Sequence, residues 1–338
     1  MQKIRVFING FGRIGRSALR VMLDDAAFEI VGINDVFPVS EFKYLTQYDS
    51  IYKELPYRVS LENDLLYVGR HTIRLFCEED PASLDLSSLH IDVLLQCSGL
   101  FLTRQANAPY LEQGVKKVIF SAPPHDDTPS YIMGFNEETY GNEAIISNSS
   151  CSANAIAPVL KIIEERYGLT DACISMVHSY TGEQNLLDGK TATNELRRAR
   201  SATQNILPLS STATATLSRF FPQLEGRLYT KSIRVPVQAT TLYDFTLHVR
   251  HAANREELNA LLTEKARGGL RDIIGTDDTC KVSSDFVRNR HSATIDLPLT
   301  EVLGGNCIKL TAWQDNEFGY ASQLVAMAKV VFEKEMQG

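Results

Sequence analysis

Ile4-Arg5-Val6-Phe7-Ile8-Asn9-Gly10-Phe11-Gly12-Arg13-Ile14-Gly15 runs from strand character into a Gly-x-Gly-x-x-Gly turn, and a helical stretch continues to Leu23. Placed between a strand and a helix, such glycines allow a tight turn, close approach of the backbone to a pyrophosphate and close helix–strand packing. The next strand, Glu29-Ile30-Val31-Gly32-Ile33, ends in Asn34-Asp35, an acid 20 residues after Gly15. That carboxylate is placed to bond the hydroxyls of an adenosine ribose, while the helix N-terminus faces the pyrophosphate. Further strands end at Gln96-Cys97-Ser98-Gly99 and Phe120-Ser121-Ala122. Alternating strands and helices over the first 150 residues predict a doubly wound α/β domain with a parallel sheet, in which these carboxyl ends border the cofactor crevice.

A second stretch points to chemistry. The strand Ala144-Ile145-Ile146 leads through Ser147-Asn148-Ser149-Ser150 to Cys151-Ser152-Ala153-Asn154, with a helix predicted from Ala155 to about Tyr167. Cys151 is thus expected at a helix N-terminus, where unpaired N–H groups and the helix dipole favour a thiolate. A base is available in His178, at the end of the run Ala172–Val177. Cys77, Cys97, Cys173, Cys280 and Cys307 lie in or beside apolar runs, fit buried structural thiols, and form no CxxC pair or metal-ligand spacing.

From Cys151 the pattern shifts to longer strands of period two, Ser232–Val235 and Thr241–Val249, interrupted by a helix from Arg255 to Lys265. This predicts a separate α+β domain with a mostly antiparallel sheet and helices on one face. The expected division is 1–150, completed by a C-terminal helix in 316–338, and 151–315. A long polar segment from Tyr180 to Leu209 contains Arg197-Arg198-Ala199-Arg200 and is expected to be functional or an interface.

The 338 residues, 44% hydrophobic and 22% charged, suffice for two cores. A net charge of -7 argues against general binding of nucleic acid or acidic membranes. No run reaches transmembrane length, Met1-Gln2-Lys3 leads straight into a strand, and reduced cysteines suit a cytoplasmic location.

GFGRIGR, Asn34-Asp35, SNSSCSAN, His178-Ser179-Tyr180-Thr181, RRAR, Arg234-Val235-Pro236 and Asp315-Asn316-Glu317-Phe318-Gly319-Tyr320 follow one another in the order and spacing of one family. From Arg5 to about Val331 the chain resembles the glyceraldehyde-3-phosphate dehydrogenase family. The resemblance implies a homotetramer with an NAD-binding Rossmann domain and a catalytic domain carrying the thiol. It implies Cys151 as nucleophile and His178 as general base. The cofactor would lie against Gly10, Gly12, Arg13, Ile14, Gly15, Asp35, Ser121, Asn316 and Tyr320. The substrate phosphate would meet Thr181 and Arg234, and the attacking phosphate Ser150, Ser152, Arg198 and Ser211. No metal is implied.

Three departures stand out. Ser152-Ala153 replaces the usual Thr-Thr after the cysteine, and Ser152 keeps a hydroxyl. Thr212 replaces a glycine whose amide touches the attacking phosphate, and its Cβ is expected to crowd that site. The sister enzyme erythrose-4-phosphate dehydrogenase, which releases its acid by hydrolysis, also lacks that glycine, and Ser218-Arg219-Phe220-Phe221-Pro222-Gln223 is similar to it. Retention of Ser179-Tyr180-Thr181 favours the triose substrate; the alternatives are the erythrose enzyme and a non-catalytic cofactor-binding paralogue. Finally, Gly189-Lys190 stands where NAD-strict members carry Leu-Pro. Asp35 repels a 2′-phosphate, so NAD is expected to be preferred, with some NADP use through Lys190.

Overall fold

The computed structural model describes residues 2–191 and 194–337. Met1, Ala192, Thr193 and Gly338, which belong to the expected domains and the 180–209 segment, lie outside the described residues. The chain divides into two compact units, Met1–Ser150 with Ala321–Gly338, and Cys151–Tyr320.

The first unit contains β1 (Ile4–Asn9), α1 (Arg13–Leu23), β2 (Phe28–Asn34), α2 (Val39–Gln47), β3 (Val59–Glu62), β4 (Leu65–Val68), β5 (His71–Phe76), β6 (Val93–Gln96), α3 (Arg104–Glu112), β7 (Lys117–Phe120) and β8 (Ile145–Ser147). Its sheet order is β3-β4-β5-β2-β1-β6-β7-β8. The strands from β5 to β8 are parallel and form the expected doubly wound sheet. Between them lie fully buried runs such as Val93-Leu94-Leu95, as a sheet covered on both faces requires. The edge departs from expectation, because β3, β4 and β5 form an antiparallel meander. Two tight turns cause this, with positive φ at Asn63 (+54°) and Gly69 (+57°). A core of Phe7, Leu94, Tyr110, Val118 and Phe120, among others, fills one side.

The second unit contains α4 (Cys151–Tyr167), β9 (Leu169–Ser179), β10 (Leu207–Ser210), α5 (Ala213–Phe220), β11 (Leu228–Val235), β12 (Thr241–Val249), α6 (Arg255–Arg267), β13 (Ile274–Asp277), β14 (Ala293–Asp296), β15 (Glu301–Leu303) and β16 (Cys307–Gln314). Strand order is β10-β11-β9-β12-β16-β14-β13, with β15 beside β16. The pairings are antiparallel except β9–β11 and β13–β14, which are parallel. Strand β12 alternates buried and half-buried residues along its whole length, the signature of a sheet with one covered face. The helix carrying Cys151 begins at Cys151 itself, earlier than the apolar pattern from Ala155 suggested.

The last helix, α7 (Phe318–Gln337), buries Leu324, Met327, Ala328 and Val331, the i, i+3, i+4, i+7 stripe of an amphipathic helix. Lys329 pairs with Asp25 and Lys117 with Glu335. Asn316–Tyr320, expected with the first domain, belong instead to the second unit. Asp315 is the reason: its carboxylate accepts from the backbone N–H groups of Glu317, Phe318 and Arg288. Gly319 is required there, since a Cβ would come within 2.6 Å of the His291 carbonyl.

Candidate active site

In the first unit the three glycines of the turn differ in kind. Gly10 has φ +94°, and a Cβ there would lie 2.3 Å from the Ser98 nitrogen. A Cβ on Gly15 would lie 2.1 Å from the Gly10 carbonyl, so α1 packs directly on the turn. Gly12 meets nothing within 4 Å and caps α1 with no side-chain hydrogen bond. That leaves an open helix N-terminus ready for an anion. Arg13 and Ile14 open α1, and the Arg13 guanidinium is paired with Asp49.

Asp35 is anchored from both oxygens: Oδ2 accepts from Phe11 N–H at 2.5 Å and Oδ1 from Val36 N–H at 2.7 Å. It lines a cleft with Gly10, Gly12, Asn34, Glu78 and Glu79. The two glutamates gave no sequence signal beyond following β5. Beneath the cleft, Asn34 donates to Asn9 Oδ1 (2.7 Å) and Asn9 to Gln96 Oε1 (3.0 Å) and the Tyr110 hydroxyl (2.9 Å), tying three strand ends together. Ser121 N–H donates to the Gln96 carbonyl at the end of β7. An open helix N-terminus, a close-approach glycine and a fixed carboxylate fit a dinucleotide.

In the second unit, Cys151 Sγ lies 4.0 Å from His178 Nε2 and 4.0 Å from Ser152 Oγ. Burial pushes the thiol up, and the Arg234 charge and hydrogen bonds from Ser152 and backbone N–H groups oppose it without reversing it. The expectation that the helix N-terminus makes a ready thiolate is therefore corrected, because desolvation wins. His178 is buried, and burial together with the Arg234 charge pushes its imidazole down to about 3. Burial thus works against charge on both members of the pair.

Arg234 faces His178 through the parallel register of β11 on β9. Its Nη1 lies 2.9 Å from His178 Nδ1 and 2.9 Å from the Ser179 carbonyl, and that carbonyl lies 2.7 Å from Nδ1. Arg234 Nε is buried with no partner among the described residues. Ser179 also donates its hydroxyl to Asn316 Oδ1 at 2.9 Å. Tyr320 is buried in the first turn of α7.

Thr181 and Arg198 meet at one carboxylate that sequence reasoning missed. Glu183 Oε1 accepts from Arg198 Nη1 at 2.6 Å and from Thr181 Oγ1 at 3.4 Å. The Leu196–Ala199 turn that carries Arg198 packs on β10, which ends just before Ser211. Ser211 Oγ accepts from Ala213 N–H. Thr212 has φ -72°, so its Cβ introduces no backbone strain. Ser150 precedes α4, after Ser149 with φ +58°. Of the remaining cysteines, Cys97 is buried and pushed up to about 12, whereas Cys77, Cys173 and Cys280 are exposed and Cys307 is half-buried. The expected burial of those three fails because two lie in loops and Cys173 points outward on β9, between the inward Ala172 and Ile174. No His, Cys, Asp and Glu cluster suited to a metal occurs among the described residues.

A Rossmann sheet with an open glycine turn, and a second sheet domain holding a cysteine–histidine pair, define the class of NAD-dependent oxidoreductases acting on an aldehyde group. Residues 4–104 match the family described as the glyceraldehyde 3-phosphate dehydrogenase NAD binding domain, and residues 150–316 the C-terminal domain of the same enzyme. The chain is 37% identical over 333 residues to glyceraldehyde-3-phosphate dehydrogenase 1 of Bacillus subtilis, covering 98% of this chain and 99% of the relative. It is 38% identical over 336 residues to glyceraldehyde-3-phosphate dehydrogenase of Mycobacterium avium (97% and 98%) and 36% identical to that of Haloarcula vallismortis (98% and 99%). The chain belongs to the glyceraldehyde-3-phosphate dehydrogenase family. Its cofactor is NAD.

Proposed function

We propose that the protein is a phosphorylating glyceraldehyde-3-phosphate dehydrogenase, oxidising D-glyceraldehyde 3-phosphate with NAD and inorganic phosphate to 1,3-bisphosphoglycerate. The observation that carries the reading is Cys151 Sγ set 4.0 Å from His178 Nε2, with Arg234 against the far side of the same imidazole. The units take functional roles in this reading: 1–150 with 321–338 binds NAD, and 151–320 carries the chemistry.

When Nδ1–H is donated to the Ser179 carbonyl, Nε2 carries the lone pair that faces the thiol. The thiol proton moves to Nε2 as sulfur attacks the aldehyde carbon. The oxyanion of the hemithioacetal is held by the Cys151 backbone N–H and by the protonated His178. NAD, when bound, would supply the acceptor for the hydride that leaves the hemithioacetal carbon as it becomes a thioester. Inorganic phosphate, held by Ser150, Ser152, Arg198 and Ser211 beside Thr212, then attacks the thioester carbon and releases Cys151. Thr181 and Arg234 hold the phosphate already on the substrate, where the buried Nε of Arg234 gains an acceptor. Asn316, its amide oriented by the Ser179 hydroxyl, positions the nicotinamide carboxamide. Gly10, Gly12, Arg13, Ile14 and Gly15 line the pyrophosphate, Asp35 takes the adenosine ribose, and Ser121 and Tyr320 complete the cofactor site.

The acidic lining of Asp35, Glu78 and Glu79 supports NAD over NADP, with some NADP use retained. Exposed Leu186, Leu187, Leu196 and Ile206 in the 180–209 segment support a homotetramer, to be checked by light scattering on the eluting protein. No described helix is long and apolar enough to cross a membrane, and we place the enzyme in the cytoplasm.

The deciding assay is NADH formation from glyceraldehyde 3-phosphate with and without inorganic phosphate. Turnover that requires phosphate is expected. Phosphate-independent turnover, or turnover only with erythrose 4-phosphate, moves the chain to the erythrose enzyme.

A further inference from the structure

We propose that Tyr243 and Gln314 form a positioning pair that sets Cys151 and Ser152 at the start of α4, outside every substrate, phosphate and cofactor contact assigned above. Both side chains are buried, Tyr243 with no exposed surface and Gln314 with 1%. They lie on the covered face of the second sheet, where Thr241 of β12 faces Gln314 of β16 and Tyr243 reaches it along the diagonal. The Tyr243 hydroxyl donates to Gln314 Oε1 at 2.7 Å. Gln314 Nε2 donates to the Cys151 backbone carbonyl at 3.1 Å. On the other side, the Ser152 hydroxyl is close enough to the Tyr243 phenol to favour its charged form, and its Oγ lies 4.0 Å from Cys151 Sγ. The contacts close a ring that leaves Cys151 through its carbonyl and returns to it at its sulfur.

The ring has a direction. Burial and the nearby Cys151 push the phenol well above its usual range, so Tyr243 stays protonated and always donates to Gln314. With its single proton committed, the phenol oxygen can act only as an acceptor toward the Ser152 and Thr241 hydroxyls. Ser152 has one proton and two claimants, the phenol oxygen and a Cys151 thiolate. By competing for that proton, Tyr243 weakens the hydrogen bond Ser152 can offer to a Cys151 thiolate. Through Gln314 it also fixes the peptide plane after Cys151, which aims the first N–H groups of the helix. The role matters for catalysis because a displaced nucleophile loses rate while the fold survives.

The inference rests on Cys151 being the nucleophile, and the test separates the two. The readouts are the pH profile of iodoacetamide alkylation and the kcat and KM for the aldehyde. In Tyr243→Phe, Ser152 turns to the thiolate, so the alkylation midpoint falls by about half a pH unit while kcat drops roughly tenfold at unchanged KM. Gln314→Met lowers kcat similarly without lowering the midpoint, because Tyr243 still competes for the Ser152 proton, and the double variant is less than additive in kcat. Ser152→Ala removes the contested proton and makes Tyr243→Phe silent in the alkylation profile, a comparison that also carries the test if Tyr243→Phe alone folds poorly. A wild-type profile and kcat in Tyr243→Phe, or an unchanged effect of Tyr243→Phe on a Ser152→Ala background, overturns the proposal. Loss of selective labelling in none of these but persistence of it in Cys151→Ser overturns the nucleophile assignment instead.

Discussion

Two strand-to-helix junctions carry the proposed chemistry, and they are built from opposite materials. Between β1 and α1 the chain turns at Gly10 (φ +94°) and starts the helix at Gly12, which has open space where a side chain would stand. Between β8 and α4 it turns at Ser149 (φ +58°), which is wholly buried, and starts the helix at Cys151. The first junction presents backbone and needs residues that subtract atoms. The second presents a side chain and needs neighbours to add charge and hydrogen bonds around it. A backbone site is therefore specified locally, whereas a side-chain site is specified by whatever the sheet brings beside it.

Variants of the two junctions break or sharpen this contrast. Cys151→Ser removes the nucleophile and is expected to lower turnover by at least about 10³-fold while leaving NAD affinity intact. Parallel loss of NAD binding in a calorimetric titration would show that the junctions are not independent.

The buried imidazole gives the second junction a pH signature. His178 is held near 3 in the fold, below the ordinary histidine value, so the unfolded chain binds the extra proton between those values. Its stability contribution is whole above the unfolded pKa of about 6.5 and is lost as pH falls toward 3, by on the order of 4 kcal/mol. Urea denaturation between pH 7 and 4 should show that loss reduced in His178→Asn; an identical slope in both proteins refutes it.

Gly10→Ala and Gly12→Ala divide folding from binding within the first junction. Gly10→Ala puts a Cβ into the Ser98 backbone at a φ that disfavours it, costing about 3 kcal/mol in thermal unfolding. Gly12→Ala meets nothing, so unfolding is expected near the wild-type temperature while NAD affinity falls about tenfold. Equal stability of the two variants would mean the turn tolerates either residue.

The smallest effect is expected at Thr212→Gly. At φ -72° threonine is unstrained, so glycine there costs only about 0.5–1 kcal/mol of stability, through the freedom it gives the unfolded chain. A lower KM for phosphate in this variant would show that the Thr212 side chain crowds the attacking phosphate; an unchanged KM would show that it does not.

Much of the first junction was legible because its constraints are local. Glycines, a preceding strand and Asp35 20 residues on define the turn without knowledge of the rest of the chain. The β3–β4 hairpin was missed because its strands are four residues each, too short for a periodic signal. Glu78 and Glu79 were missed because only the sheet order places the end of β5 beside β2. In the second unit, Cys151 and His178 were legible as residue types at element ends, but their protonation was not. The thiol was expected low and is raised, since a sequence displays the helix N-terminus and hides the desolvation that outweighs it.

The sequence by itself determined the alternation of elements, the nucleotide turn and the presence of a cysteine and a histidine at the ends of a strand and a helix. These follow from periodicity, from steric limits on φ and from propensities that act within a few residues. The tertiary structure alone decided that Arg234 stands against His178, that Glu183 joins Thr181 to Arg198, and that Tyr243 reaches the Cys151 carbonyl through Gln314. Those partners lie tens of residues apart or more along the chain, or on a loop without periodicity, and only strand register and burial bring their polar atoms to hydrogen-bonding distance.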